Sequence, residues 1–308
     1  MTCCRYPGTD GILNVNKPRG KTSFSVVALV RRLTGEKRVG HAGTLDPLAT
    51  GVLPVCIGQA TRLVEYMMDT TKTYRAEIEL GITTDTYDAE GKVTQKADAS
   101  GINRNQVETA LSTFLGEITQ IPPAYSAVKY HGKPSYALAR AGIAVVPKKR
   151  LARIDRIEVI DWQPPVVTVE IDCGKGTYIR SLANDLGQTL GCGAYLKNLV
   201  RLRCGIFDIT DSVTLDGLEE AFRVGFWQDL LYPMDSVLTR LPAVVIGEEN
   251  ERAICNGNAV LLEEFSSGDL CRAYNQCGNL LAVLRFDHAR GLWRPEKVFG
   301  VLDTVSPM

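Results

Sequence analysis

A chain of 308 residues is long enough for one large domain and a small one, each with a core of its own. Hydrophobic residues make up 45% and charged residues 23%, a globular balance that excludes a disordered chain, and no apolar run approaches the ~20 residues a spanning helix needs. The formal net charge of +0 excludes a uniformly basic nucleic-acid binder, yet the basic residues are clustered.

Ten Lys or Arg stand against four Asp or Glu from Gly11 to Arg75, and seven basic residues with no acid lie between Lys129 and Arg153. Two such blocks, one beside an unusual loop, point to a phosphate backbone as partner. The start, Met1 to Pro7, has no apolar stretch of the kind a secretion signal carries, so a cytoplasmic protein is expected. The nine cysteines include no Cys-x-x-Cys pair, and with only three histidines (His41, His131, His288) no zinc site of the usual spacing can be assembled. Reduced, mostly buried thiols are expected.

In chain order, Ile12 to Val15 reads as a short strand ended by the turn Lys17-Pro18-Arg19-Gly20. Ser23 can cap a helix carrying Val26, Val30 and Leu33 on one face, with Gly35 just past its end. Arg38 to Gly51 has no clean period and reads as a loop, followed by an apolar strand, Val52 to Ile57, and a short helix, Ala60 to Met68. Tyr74, Ala76, Ile78, Leu80 and Ile82 alternate with polar residues as a long half-buried strand, and Asp88 to Gly91 makes a turn. Val107, Leu111 and Phe114 mark a helix that ends at Ile121-Pro122-Pro123. The basic block contains a helical piece around Tyr136 to Arg140. Val167 to Cys173 alternates as a strand, Ile179, Leu182, Leu186 and Leu190 share a helix face, and Tyr195 to Phe207 is extended.

Without regular βαβ alternation, these elements predict an α+β fold on a largely antiparallel sheet with flanking helices. After Leu241-Pro242 short strands follow at Val244 to Ile246, Ala259 to Leu262, Leu280 to Phe286 and Val298 to Val301. They predict a small all-β domain over residues 242–308, leaving 1–241 as the main domain.

Several chemistries are excluded by pattern. Gly174-Lys175-Gly176-Thr177 lacks the glycine spacing of a nucleotide-binding phosphate loop and reads as a turn into a helix. Nucleophile-elbow, zinc-protease and zinc-deaminase signatures are absent. What stands out is Val39 to Val55, where Gly40, Gly43 and Gly51 allow tight turns and Pro47 biases Asp46 towards an extended conformation. Taken alone, an Asp-Pro in such a loop is a turn.

The whole string, however, resembles the TruB-type pseudouridine synthases, the tRNA pseudouridine-55 synthases of bacteria. The resemblance runs from Gly11 to Phe207 through five ordered motifs. These are Asn16-Lys17-Pro18-x-Gly20, the Gly40-to-Val55 loop, Lys72-x-Tyr74, Pro123-x-Tyr125-Ser126-Ala127-x-Lys129, and Lys175-Gly176-Thr177-Tyr178-Ile179-Arg180-Ser181-Leu182. One departure is visible: where the family often carries two arginines after Leu199, this chain has Val200 and then Arg201.

The resemblance implies a pseudouridine-synthase-like fold with an inserted thumb at about residues 123–153 and a C-terminal module like a reduced PUA domain. It implies an isomerase that needs no cofactor or metal, acts on the T arm of tRNA, and works as a monomer without membrane or obligate protein partner. Asp46 matches the catalytic aspartate and nucleophile, though the residues leave open whether it attacks the ribose C1′ or acts by another route. Arg180 would pair with it and keep it ionised, and Tyr74 would stack on the base and handle a proton. Tyr178 and Leu199 would wall the pocket, Lys17 would support the loop, and His41 would fill the T loop while the uridine is flipped out. Lys129 and Arg140 in the thumb would contact the RNA, where Tyr130 and Tyr136 could stack on bases. A different class remains open, an RNA-binding or RNA-folding protein with an inactive loop. So does a guide-RNA-dependent relative, which the lack of a long N-terminal extension disfavours.

Overall fold

The computed structural model describes residues 10–123, 129–130, 133–134, 148–262 and 268–299. The first strand, β1 (Gly11–Lys17), is apolar enough to be buried on both faces, and α1 (Ser23–Thr34) follows it. The side chain of Thr22, not Ser23, caps α1 by accepting the Ser25 amide at 3.0 Å, and Gly35 ends the helix in the left-handed conformation at φ 69°. Ser23 is buried and serves the neighbouring loop instead.

Within the stretch read as a loop, β2 (Val39–His41) folds onto β3 (Thr50–Ile57). The chain then makes a 3₁₀ turn and a short helix up to Met68 and enters β4 (Lys72–Leu80). Helix α2 (Arg104–Ser112) starts in a capping box between Asn103 and Gln106 and leads to β5 (Gly116–Gln120). In the predicted thumb, Lys129–Tyr130 pairs with Lys133–Pro134 as a small ladder. The helical piece expected around Tyr136 to Arg140 lies outside the described residues. The end of the basic block begins a fourteen-residue strand, β6 (Arg150–Gln163), which the sequence reading lacked. It hairpins into β7 (Val166–Cys173), followed by α3 (Ile179–Thr189), β8 (Ala194–Cys204) and α4 (Leu215–Val224).

Eight of the eleven strands of the main sheet run in the order Val213–Thr214, β1, β3, β8, β4, β7, β6, β5. Pairing is antiparallel except where β1 meets Val213–Thr214 and where β3 meets β8. That parallel register sets Thr50 beside Val200 and Gly51 beside Arg201, so the end of the Gly40-to-Val55 loop is bound directly to β8. One face of the sheet packs Leu13, Val15, Ile78 and Val169 against Val26 and Val30 of α1, Val107 and Leu111 of α2, and Leu182 and Leu186 of α3. The α+β, largely antiparallel arrangement expected from the sequence is therefore present.

Residues beyond Pro242 form a second sheet in the order β9 (Ala243–Ile246), β10 (Leu270–Asn275), β11 (Leu280–Asp287), β12 (Leu292–Val298). This β unit also holds a helix, α5 (Glu248–Cys255), absent from the sequence reading. Eight residues that bury only Ile254 give little periodicity to read, and the helix is favoured by Glu248, Glu249 and Glu251 at its positive end. Leu280, Val283 and Phe299 join one cluster with Ile12, Val52 and Cys56 of the main sheet and Ala42 of the loop after β2, so this face is shared rather than private to either unit.

Candidate active site

The loop before β3 is fastened from three sides. Leu45 is buried, and both its backbone polar groups bind the Ser23 hydroxyl: the Leu45 amide donates to Oγ at 2.9 Å and Oγ donates to the Leu45 carbonyl at 3.1 Å. The Pro47 carbonyl accepts from the Gly20 amide at 2.8 Å and from Lys17 Nζ at 3.4 Å. Leu48 and Ala49 enter the core. Asp46 is thus held between buried residues, with its own side chain 40% exposed into an open cavity.

That cavity has a volume of ≈ 360 Å³, a size suited to a small polar ligand. Asp46, Tyr74, Tyr178, Arg180 and Leu199 all line it, as do Lys72 and Arg201. Arg180 lies in the first turn of α3 and its side chain is only 5% exposed; Nε stands 2.9 Å from Asp46 Oδ2. Its Nη1 reaches Asp88 Oδ2 at 3.4 Å and donates to the Thr86 carbonyl at 3.4 Å. Asp88 is buried and accepts the Thr86 hydroxyl at 2.5 Å and the Glu90 amide at 3.1 Å. The turn that presents it holds Tyr87 at φ 64°, the one non-glycine residue with positive φ among the described residues.

Two carboxylates therefore share one buried guanidinium. Burial pushes the Asp46 carboxyl above the usual carboxylate range, Arg180 and Lys17 pull it down, and Asp88 pushes it up. Burial likewise raises the Tyr74 phenol to about 12, opposed by Arg201. Lys17 is fully buried behind the loop, donating to the carbonyls of Lys21 at 2.6 Å, Pro18 at 3.0 Å and Pro47, and burial lowers it to about 8 against the pull of Asp46.

The sequence itself matches known models. The model of the TruB family pseudouridylate synthase N-terminal domain covers residues 31–179, and that of the tRNA pseudouridylate synthase B C-terminal domain covers residues 180–239. The chain belongs to the TruB family. A relative in Dehalococcoides mccartyi, named tRNA pseudouridine synthase B, is 48% identical over 290 residues, covering 94% of this chain and 96% of its own. Another of that name in Heliobacterium modesticaldum is 42% identical over 305 residues, covering 96% and 98%. A chain from a solved H/ACA ribonucleoprotein bound to a substrate RNA containing 2′-deoxyuridine superposes with a TM-score of 0.73 at 25% identity, over 96% of this chain and 86% of that one. TruB-family proteins are pseudouridine synthases, and this chain is accordingly an isomerase.

Of the residues singled out in this TruB-family sequence, the structure brings five to one cavity: Asp46, Tyr74, Tyr178, Arg180 and Leu199. Tyr178 precedes α3 and is clamped through its backbone by Gln120, whose side chain accepts its amide at 3.0 Å and donates to its carbonyl at 3.2 Å. Lys17 acts on the loop without lining the cavity. His41 does not line it either; it sits on β2, half-buried, and burial and then Arg201 lower its pKa, so the ring is neutral near pH 7. Lys129 contributes its backbone to the small ladder, and Arg140 lies outside the described residues.

Three residues of the site were missed. Asp88 reads as a turn former, and only its burial beside Arg180 shows otherwise. Lys72 stands in the Lys72-x-Tyr74 motif, and its ammonium is turned inward onto the carbonyls of Met68 at 2.6 Å and Thr70 at 2.5 Å. Arg201 is 1% exposed and reaches into the Gly40-to-Val55 loop. The departure after Leu199 marked its place in the sequence.

Proposed function

We propose that this chain converts the T-loop uridine at position 55 of tRNA into pseudouridine, with Asp46 as nucleophile and with the uridine flipped out of its loop. The observation that supports this most directly is the Asp46 carboxylate paired to a buried Arg180 in a cavity also lined by Tyr74, Tyr178 and Leu199. The tRNA is taken from the relatives' name.

The chemistry is an isomerisation. The bond from uracil N1 to the ribose C1′ breaks, the base turns, and a bond from C5 to C1′ forms; the proton on C5 is lost and N1 gains one. Arg180 keeps the attacking carboxylate aimed and balances its charge, while two aromatic rings and Leu199 hold the detached base away from water. A base stacked inside a folded arm cannot enter a cavity of this kind, so extrusion from the T loop precedes the reaction. His41, Lys129 and Arg140 then serve the RNA rather than the chemistry, with residues 123–153 as thumb and 242–308 as a further RNA-binding module. The protein acts in the cytoplasm, as a monomer.

The test is release of tritium from a tRNA transcript labelled at uridine C5. Release is expected from the wild-type T arm and not from a transcript whose T-loop uridine is replaced by cytidine. Equal release from both transcripts would exclude the T loop as the site of action.

A further inference from the structure

Arg201 has no role in the reading above, yet it is among the largest fully buried side chains of the molecule. Its Nε donates to the Val52 carbonyl at 2.6 Å and its Nη2 to the Gly43 carbonyl at 3.2 Å. On the neighbouring strand it lies directly across from Tyr74, whose phenol it pulls down against the effect of burial, and both side chains line the cavity. Its hydrogen-bond acceptors among the described residues are thus two carbonyls, neither of them a carboxylate. A buried guanidinium without a counter-ion is costly, and its donors are strongly committed to whatever accepts them.

Both carbonyls belong to the segment that carries Asp46: Gly43 lies three residues before it, Val52 six residues after. Gly43 takes φ +83°, and a side chain built there would come within 3.3 Å of Arg201 Nη1. The same guanidinium therefore holds the backbone on both sides of Asp46 and lies across the strand pair from Tyr74.

We infer that Arg201 is a positioning residue for the reaction, locking the Asp46 loop and the Tyr74 hydroxyl into one register so that carboxylate and phenol meet the same nucleotide. This rests on the proposed isomerisation. A lysine cannot replace it, since one ammonium on a flexible stem does not span both carbonyls in fixed geometry.

The test is a double-mutant cycle on the full chain, reading single-turnover tritium release from tRNA transcript and tRNA affinity by filter binding. Arg201→Met is expected to slow the chemical step by about 100-fold with tRNA affinity changed by no more than about threefold. In a Tyr74→Phe background the same substitution is expected to cost at least about tenfold less, because the group it positions is gone. Losses that simply multiply, or a loss of affinity in place of rate, would overturn the assignment. If Arg201→Met does not fold by circular dichroism, Arg201→Lys carries the same comparison with a smaller loss. A wild-type protein that releases no tritium from any tRNA sinks the functional reading itself; an active wild type with multiplying variants sinks only the role of Arg201.

Discussion

At the scale of single residues, the site is a problem in sharing one cation. Arg180 is almost wholly buried and answers both Asp46 and Asp88. Asp88 raises the Asp46 carboxyl directly and also competes for the guanidinium that would lower it. Activity that needs ionised Asp46 is lost as the pH falls through its raised pKa. Asp88→Asn removes one negative charge and leaves Arg180 to Asp46, so both effects act downwards. The acid limb of the single-turnover pH profile should therefore move to lower pH in Asp88→Asn, even as the maximal rate falls with the loss of an anchor. A limb that stays in place or moves up would contradict the shared-cation account.

At the scale of elements, the Asp46 loop depends on one of two parallel contacts in a largely antiparallel sheet. Gly51 sits at φ +97° beside Arg201, and an added Cβ would fall inside contact distance of the Arg201 carbonyl. Gly51→Ala is therefore expected to cost about 3 kcal/mol in thermal or urea denaturation, from strain and forced strand separation together. An unchanged midpoint would show that the β3 and β8 contact is soft. This contact also marks what was legible in the sequence. The alternation from Tyr74 to Leu80 and the heptad-like face from Ile179 to Leu190 reported their own strand and helix, because each buries one face against the core, whereas Ile82, expected in the same strand, lies past a break at Gly81 in a separate two-stranded sheet. The segment Arg150–Gln163 did not, since many of its side chains are exposed or charged and its strand character comes from pairing with β5 and β7. The site shows the same division. Asp46, Tyr74 and Arg180 lie inside contiguous motifs, whereas Asp88 and Arg201 act through partners 92 and 158 residues away in the chain, a relation that only the folded sheet displays.

At the scale of the whole molecule, the second sheet is built into the first. Leu280, Val283 and Phe299 share a cluster with Ala42 of the Asp46 loop, Arg62 lies over the Phe299 ring and donates to the Val298 carbonyl, and Tyr274 donates to Asp235 at 2.7 Å. The loop carrying Asp46 is thus backed by residues as far along the chain as Phe299, while the carboxylate itself contributes to no core. Binding of RNA and transformation of RNA should be separable on that basis. A carboxyl held above its unfolded pKa weakens the fold above that pKa and ceases to do so as the pH falls through it, so removing the charge at pH 7 should not lower the melting temperature. Asp46→Asn is the measurement that bears most directly on the central claim. It should melt no lower than wild type, bind tRNA transcript with nearly unchanged affinity, and release tritium from C5-labelled uridine about 10⁴-fold more slowly or not at all. Wild-type-like release from Asp46→Asn would contradict the assignment of this carboxylate as the nucleophile.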